Sequence, residues 1–515
     1  MLKQDYRYRI RRQAWFYLIT VCCISVACIA IANLTSIRAD WTENHIYTLS
    51  DSTQDVLDRL DEPLMIRAYI TSGMPQPYAR LQRFIADMLQ SYHEAGHGRV
   101  GVEIIDPASD PNIAGALQAL NVPKVQVQVV EHDRAQVKQG YLAIVLEYLD
   151  KKETINVVQS ETGFEYNLTR KIKKITGKGR IKIGISSGFG ARSIQDLQQF
   201  KAWAQDDYQL VAVDLNQEKV ADDIQALLVV GMLHAPSKVW RYHLDQFRMR
   251  GGGVWVLAGH ARANLAQGFA VQATDGDAHD WLKQDLGIAV EPGLVMDKRA
   301  QRVTVRDGVF QSQIDYPFVV NVLDMDDAHI ITRNLDAVSM PFASSLLATH
   351  PGAKVLLRSS PWAAVQNGPP FDVYPLMSME KRFDGLQLQA HMLAYSRAGS
   401  MDSAFHQNII KHHDTHLKHT DSGRLLVFGS ASFLDNEFMG GTGLVLTLNA
   451  LDWLTHHETL IDLRSRSDAQ HPLAALSDSG KSVFKAFWML GLPVLVLLFG
   501  LWRWRVLRKR SGDLA

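Results

Sequence analysis

Apolar residues are spaced along this chain in three ways, and each predicts a different element. Two runs carry no charged side chain at all, Ala14 to Ile37 and Ala486 to Trp502. Between them, strict alternation marks LMIRAYI (Leu64–Ile70), VGVEIID (Val100–Asp106) and VQVQVV (Val125–Val130) as strands. Helical spacing puts Leu81, Phe84, Ile85, Met88 and Leu89 on one face of a helix that Gly96 ends. Ser50 is placed to cap a helix over Asp51–Leu60, stopped by Pro63, and Pro111–Leu120 reads as a short helix. Val125–Val130 and YLAIVLEYL (Tyr141–Leu149) are expected to pair as a hairpin, with a helix over Glu161–Thr176 after them. That order, β-α-β-α-β-β-α, predicts a thioredoxin-like α/β domain over residues 38–160. It contains no Cys-x-x-Cys, which excludes a redox role.

From Arg180 the pattern changes. IKIGIS, a helix over Ser193–Asp207, LVAVDL, ALLVVGM, a helix over Pro236–Arg250 and VWVLAG follow one another. Continuous apolar strands alternating with helices predict a doubly wound, parallel, flavodoxin- or amidotransferase-like α/β domain over residues 161–460. Gly293–Asn321 is strand-like but irregular. KVLLRSS, LQLQAHMLAYS and RLLVFGSASF are later strands, and Gly441–His457 is a closing helix. Gln366–Pro370 and Ser400–Asp421 read as loops, and residues 461–485 as a linker.

The two charge-free runs are long enough to span a bilayer, the second at the short end of the range, and within lipid only a helix satisfies the backbone. Lys3, Arg7, Arg9, Arg11 and Arg12 precede the first run; Arg503, Arg505, Arg508, Lys509 and Arg510 follow the second. Positive flanks stay in the cytoplasm. The expectation is two transmembrane helices (14–37 and 486–502), cytoplasmic tails (1–13 and 503–515) and an exported body. Ser25, Cys28, Ala32 and Thr35 recur at steps of three or four along the first run, with Ala27, Ala30 and Asn33 beside them. They offer a close-packing face for a partner helix.

The formal charge is zero, but the tails hold 10 of the 54 basic and 2 of the 54 acidic residues. The part between has 44 against 52, a net of −8, which argues against a nucleic-acid surface. All three cysteines, Cys22, Cys23 and Cys28, lie in the first run, so the exported part has no disulfide and no cysteine nucleophile. Ser25 stands where a lipobox requires leucine. Ala30-Ile31-Ala32 suits signal cleavage, but the apolar run exceeds a signal-peptide core, and an uncut anchor is the better reading.

Several short stretches, taken in order, are similar to one family. Ile46-Tyr47-Thr48-Leu49-Ser50 follows the first membrane run. Asp315-Tyr316-Pro317-Phe318 with Val320-Asn321, Ile331-Thr332 with Asn334-Leu335, and Pro341-Phe342-Ala343-Ser344-Ser345 come next. Gly423 to Ser430 (GRLLVFGS) and Asn449 to Leu454 (NALDWL) close the series. Together they resemble the gliding-motility-type auxiliary components of ABC transporters, whose exported region carries a domain shared with an intraflagellar-transport protein. The resemblance implies a bacterial inner-membrane protein with a periplasmic body. It implies an ABC permease and a cytoplasmic ATPase as partners beside the lipid bilayer, with an envelope protein or polysaccharide as ligand. It implies no catalytic residue, no cofactor and no metal. The family often has a Gly-His-Gly-Glu-like turn after the first strand of its second domain. Here Ser187-Gly188-Phe189-Gly190 stands there.

Five stretches offer chemistry and are each better read as structure. Gly188-Phe189-Gly190-Ala191-Arg192-Ser193 sits where a dinucleotide fingerprint would, yet Ser193 replaces the last glycine, and a plain strand-to-helix turn explains it. Gly184-Ile185-Ser186-Ser187-Gly188 satisfies G-x-S-x-G, but no helix starts at once after the serine. Gly480-Lys481-Ser482 lacks the first P-loop glycine, with Ala475 in its place. His412, His413, Asp414, His416 and His419 have spacings that could share a metal on a helix, but their surroundings predict a solvated loop. Asp435-Asn436-Glu437 reads as a cap for the following helix. A membrane-anchored envelope scaffold, or an amidotransferase-like or hydrolase enzyme, is the alternative class.

Overall fold

The computed structural model describes residues 48–464, apart from 77, 110, 132–133, 178, 265–269, 308–309, 411–414 and 462. It also describes scattered helical residues within 15–25 and 484–505. The chain opens with α1 (Asp51–Asp58), where the Ser50 hydroxyl accepts from the Thr53 amide as expected of a cap. Next come β1 (Leu64–Ile70), α2 (Tyr78–Ala95), β2 (Val100–Ile105), α3 (Pro111–Ala119), β3 (Val125–Glu131) and β4 (Arg134–Gly140). Then follow β5 (Leu142–Tyr148), β6 (Lys151–Ile155) and α4 (Phe164–Thr176). Strands run β2-β1-β5-β6, with β1 and β2 parallel and the other pairs antiparallel.

The hairpin differs from expectation. β3 pairs with β4 in a separate ribbon, and β5 instead lies between β1 and β6. Leu142 through Leu146 are all buried, so this strand needs cover on both faces and takes the centre of the sheet. The RAQVKQG sequence of β4 is too polar for that place and suits a two-stranded ribbon. Helix α4 lays Phe164, Leu168, Ile172 and Ile175 into the same core as α2 and β5, with Phe164 edge-on to Phe84 at 5.6 Å. Each of these side chains contributes roughly 1.5–3 kcal/mol of burial.

The second sheet has eight strands. It begins with β7 (Ile181–Ser186), α5 (Gln198–Ala204), β8 (Tyr208–Val213), β9 (Ile224–Val230), α6 (Lys238–Met249) and β10 (Gly253–Leu257). A long excursion then carries small sheets built from β11 (Ala261–Asn264), β12 (Ala270–Ala273), β13 (Ile288–Val290) and β14 (Leu294–Asp297). It continues through β15 (Ala300–Asp307), β16 (Phe310–Val322), β17 (Asp324–Met325), β18 (Val338–Pro341), β19 (Leu346–Ala348), β20 (Lys354–Arg358) and β21 (Ala363–Gln366). After α7 (Met379–Phe383), the chain returns through β22 (Met392–Asp402), β23 (His419–Phe428) and α8 (Gly441–Leu454). The order is β17-β20-β22-β23-β10-β9-β7-β8.

Five of these strands, β8, β7, β9, β10 and β23, are parallel; β22, β20 and β17 add an antiparallel edge. The all-parallel expectation therefore holds for one half of the sheet. The connection from Asp402 to His419 returns to the same end of the sheet, where those two residues pair, so β23 runs back antiparallel to β22. The helix expected over Ser193–Asp207 is confined to α5, because Ser193 spends its amide and hydroxyl on Asp196 in a turn. The strand expected from Leu386 begins only at Met392.

Helices cover both faces. α5 and α8 pack Phe200 and Leu446 against Trp255 and Leu228, while α6 packs Trp240, Leu244 and Phe247 against Val229 and Val256. The glycine at 253 sets how closely α8 lies on the sheet: a Cβ there would meet the Leu454 carbonyl oxygen at 2.4 Å.

Residues 470–515 form a unit of their own, and its described residues are helical and, apart from Gly491, exposed. Among the described residues no helix is long and apolar enough to cross a membrane. Most of the run 14–37, with the small-residue face beyond Ser25, and residues 486, 490 and 492–496 of the second run lie outside the described residues.

Candidate functional site

The strand order reverses at β7, which has β8 on one side and β9 on the other. In such sheets the crevice beyond the carboxyl ends of these strands is where a ligand is accommodated. Here the crevice is formed by the turn that leaves β7. Gly188, Phe189 and Gly190 all adopt left-handed conformations, with φ of 97°, 51° and 75°. Phe189 is held there because its ring packs edge-on to Trp240 at 6.4 Å, and its carbonyl accepts from the Leu233 and His234 amides. The Arg262 guanidinium donates to the Gly190 and Gly231 carbonyls at 2.7 and 3.2 Å. The turn thus converges carbonyls around a cation of the protein itself. A pyrophosphate needs converging N–H groups at a helix start, and α5 begins only at Gln198.

Ser186 is 1 % exposed, and its hydroxyl accepts from the Trp240 indole N–H at 3.1 Å. The G-x-S-x-G serine is therefore a buried acceptor on the sheet, not a nucleophile presented on a turn.

Opposite the turn, Asp435 accepts from Arg192 at 2.8 Å. Burial pushes the Asp435 carboxyl above its ordinary value, outweighing the pull of Arg192. Its neighbour Asn436 accepts from the Gln199 amide and donates to the Asp196 carbonyl. The Asp435-Asn436 loop thus caps α5, more than two hundred residues away, and not the following helix. The α8 cap residue, Gly440, makes no side-chain cap bond. Local spacing carries no signal for this cap.

The histidine-rich segment does not place its members on one helix. His416 stacks on Tyr242 at 5.9 Å and reaches the Phe405 carbonyl through Nε2 at 2.9 Å. His419 opens β23 between Asp402 and Asp421, whose carboxylates raise its pKa, Asp402 the more strongly. His412, His413 and Asp414 lie outside the described residues, as do Gly480-Lys481-Ser482. Among the described residues, no group of three or more His, Cys, Asp or Glu is arranged to hold a metal ion.

A further constellation joins the two ends of residues 48–464, and sequence spacing does not reveal it. Glu165, in the first turn of α4, accepts from the Ser50 amide and hydroxyl at 2.8 and 2.9 Å and from the Thr53 hydroxyl at 2.6 Å. The next residue, Tyr166, accepts from Arg464 Nε at 2.9 Å. Arg464 also donates to Asn449 at 2.8 Å and to Asp452 at 2.7 Å, and the Tyr208 hydroxyl donates to Asp452 as well. Burial opposes the Arg464 charge, but Asp452, Tyr166 and Tyr208 together outweigh it and its pKa is raised. Burial, then Asp452, pushes the Tyr208 phenol well up. Helix α1 packs on Glu458–Leu460, so the entry and exit of this body meet on α4.

The fold and these sites define an α/β protein with two principal sheets, whose polar constellations are structural joints between distant segments. The chain belongs to the family described as ABC-type uncharacterized transport system, whose profile matches residues 180–457. That is the auxiliary transport family expected from the ordered motifs, and membership supports an auxiliary role over a catalytic one. A domain of unknown function matches residues 43–147. An uncharacterized protein of Borreliella burgdorferi is 22% identical over 501 residues, covering 92% of this chain and 94% of its own length. Among solved structures, the mmIFT52 N-terminal domain matches at a TM-score of 0.34 and 13% identity, covering 53% of this chain and 97% of that one. A ThuA-like protein of Bacteroides uniformis matches at 0.30 and 15%, covering 54% and 93%. These two likenesses carry no argument about function.

Proposed function

We propose that the chain is the membrane-anchored, non-catalytic auxiliary component of an ABC transport system, working beside a separate permease and a cytoplasmic ATPase. Helices over 14–37 and 486–502 anchor it in a bacterial inner membrane, both termini are cytoplasmic, and the body is periplasmic, where it meets an envelope partner. One observation carries the reading: consecutive residues of α4, Glu165 and Tyr166, hold the two ends of the body. Two anchors in one bilayer with the body on one side require its entry and exit to lie together. The β2-β1-β5-β6 order supports a thioredoxin-like first domain. The β8-β7-β9-β10-β23 order supports a flavodoxin- or amidotransferase-like second one. Topology reporters test the reading. A fusion after Arg510 should report cytoplasm, and an insertion within 366–370 should report periplasm; the opposite pattern overturns it.

A further inference from the structure

A cleft of about 890 Å³ opens between α4 and β6 of the first sheet and the amino ends of β7 and β8. Seven lysines and arginines line it against four carboxylates, in a body whose net charge is negative. The carboxylates are already engaged. Glu153 pairs with Lys171 and Lys174, Asp206 and Asp207 with Arg170, and Asp452 with Arg464. Of the remaining cations, Lys152 pairs with Glu147. Lys151 reaches only the Gly177 carbonyl, at 3.4 Å. Lys173 and Arg180 make no side-chain hydrogen bond or ion pair among the described residues.

Lys173 is the telling member. It sits in the last turn of α4, where lysines commonly complement the helix dipole, and the dipole alone would favour its charge. Its pKa is instead lowered: burial, with Arg464 and Arg59, outweighs Asp452 and Asp207. The fold therefore holds this ammonium in a half-buried place where the cost of burial exceeds the pull of Asp452 and Asp207, with no hydrogen-bonding or ion-pair partner among the described residues. An arriving anion would offset that cost by giving the ammonium a direct partner. The volume lies within the usual range for small-molecule sites of about 300–1,000 Å³, and exceeds what a bare inorganic ion needs.

We propose that this cleft binds the phosphoryl group of a phosphate ester, held by Lys151, Lys173 and Arg180. The ester comes from one of two sources, a soluble sugar- or glycerol-sized phosphate or the head group of an anionic phospholipid. Arg464 and Leu460 line the cleft and precede the run at Ala486 in sequence, which is the reason for testing a head group. That source alone rests on the anchored reading proposed above.

The test uses the full chain in a nonionic maltoside detergent. Lys173 is labelled with an amine-reactive acylating reagent and followed by peptide mass spectrometry, alongside the melting temperature. The probes are glycerol 3-phosphate and dihexanoylphosphatidylglycerol, with dihexanoylphosphatidylcholine and sodium chloride of matched ionic strength as controls. At ten times its dissociation constant a bound probe should slow Lys173 labelling about tenfold. It should also raise the melting temperature, and K173Q/R180Q should abolish that rise. Both residues are unpaired and at least partly exposed, so the double variant retains the fold, which its unliganded melting curve checks. Protection by glycerol 3-phosphate identifies the soluble source. Protection by phosphatidylglycerol alone, without phosphatidylcholine, identifies the head group. Absence of protection by both, equal protection by chloride, or an undiminished melting shift in K173Q/R180Q overturns the site. Because the glycerol 3-phosphate arm does not depend on the membrane, reversed topology reporters would leave it standing.

Discussion

Replacing Arg464 with methionine removes the cation that serves two buried acceptors, Asp452 and Asn449, and the half-buried Tyr166 hydroxyl. Arg464 and Asp452 side chains are 4% and 7% exposed, so neither is relieved by water. Without the guanidinium, Asp452 keeps among the described residues the Tyr208 hydroxyl alone, and the Asn449 oxygen and the Tyr166 hydroxyl each lose a donor. Stripping one partner from a buried ion pair costs about 3–5 kcal/mol, because the other charge stays behind. R464M is expected near 4 kcal/mol, close to three decades in the unfolding constant. R464K should fall between, since one ammonium cannot fork to Asp452, Asn449 and Tyr166 at once. R464M/D452N should cost clearly less than the two single changes summed, because it removes the orphaned charge. Urea unfolding followed by tryptophan fluorescence measures all four, compared at unchanged denaturant slope. A loss below about 1 kcal/mol in R464M, or strictly additive single changes, would refute the view that this network joins the exit of the body to α4.

Three further predictions concern the second sheet and its excursion. Burial pushes His279 down to about 4 and also lowers His260 and His391, so the folded state resists protons that the unfolded chain accepts. Stability is therefore full above the ordinary histidine pKa and is lost as pH falls from about 6.5 toward 4; His279 alone should contribute a loss of about 2 kcal/mol between pH 7 and 5. A melting temperature that does not fall over this interval, or H279Q with an unchanged pH slope, contradicts it. S186A should leave transport function intact while costing about 1–3 kcal/mol, since the Trp240 indole N–H loses its acceptor in the core; abolished function with normal folding would point back to a nucleophile. N436A should cost about 1 kcal/mol and raise amide exchange at the start of α5, not of α8, which hydrogen exchange reads directly.

Local elements were legible in the sequence because their causes are local. The Ser50 cap, the stripe from Leu81 to Leu89 and the alternation of Leu64–Ile70 each depend on residues a few positions apart, and all three formed as expected. The β-α repeat from Ile181 to Leu257 was equally readable, since buried parallel strands announce themselves as continuous apolar runs. The glycines at 188 and 190 marked a turn, and the family followed from the order of short motifs, which survives where single motifs are weak.

Partner choice was decided by tertiary structure. The strand Leu142–Tyr148 looked like the second arm of a hairpin with Val125–Val130. Only competition for the centre of the sheet sent it to β1 and left β3 to β4. The antiparallel edge arose because the chain returns from Asp402 to its pairing partner His419 at the same end of the sheet, and alternation alone is silent on strand direction. Asn436 capping α5, Arg262 filling the turn after β7, and Glu165 and Tyr166 holding both ends of the body all join residues between about seventy and three hundred positions apart. A pattern of period two or 3.6 reports which face of an element is buried. It cannot report which distant polar group waits on that face, because that depends on how the finished layers stack.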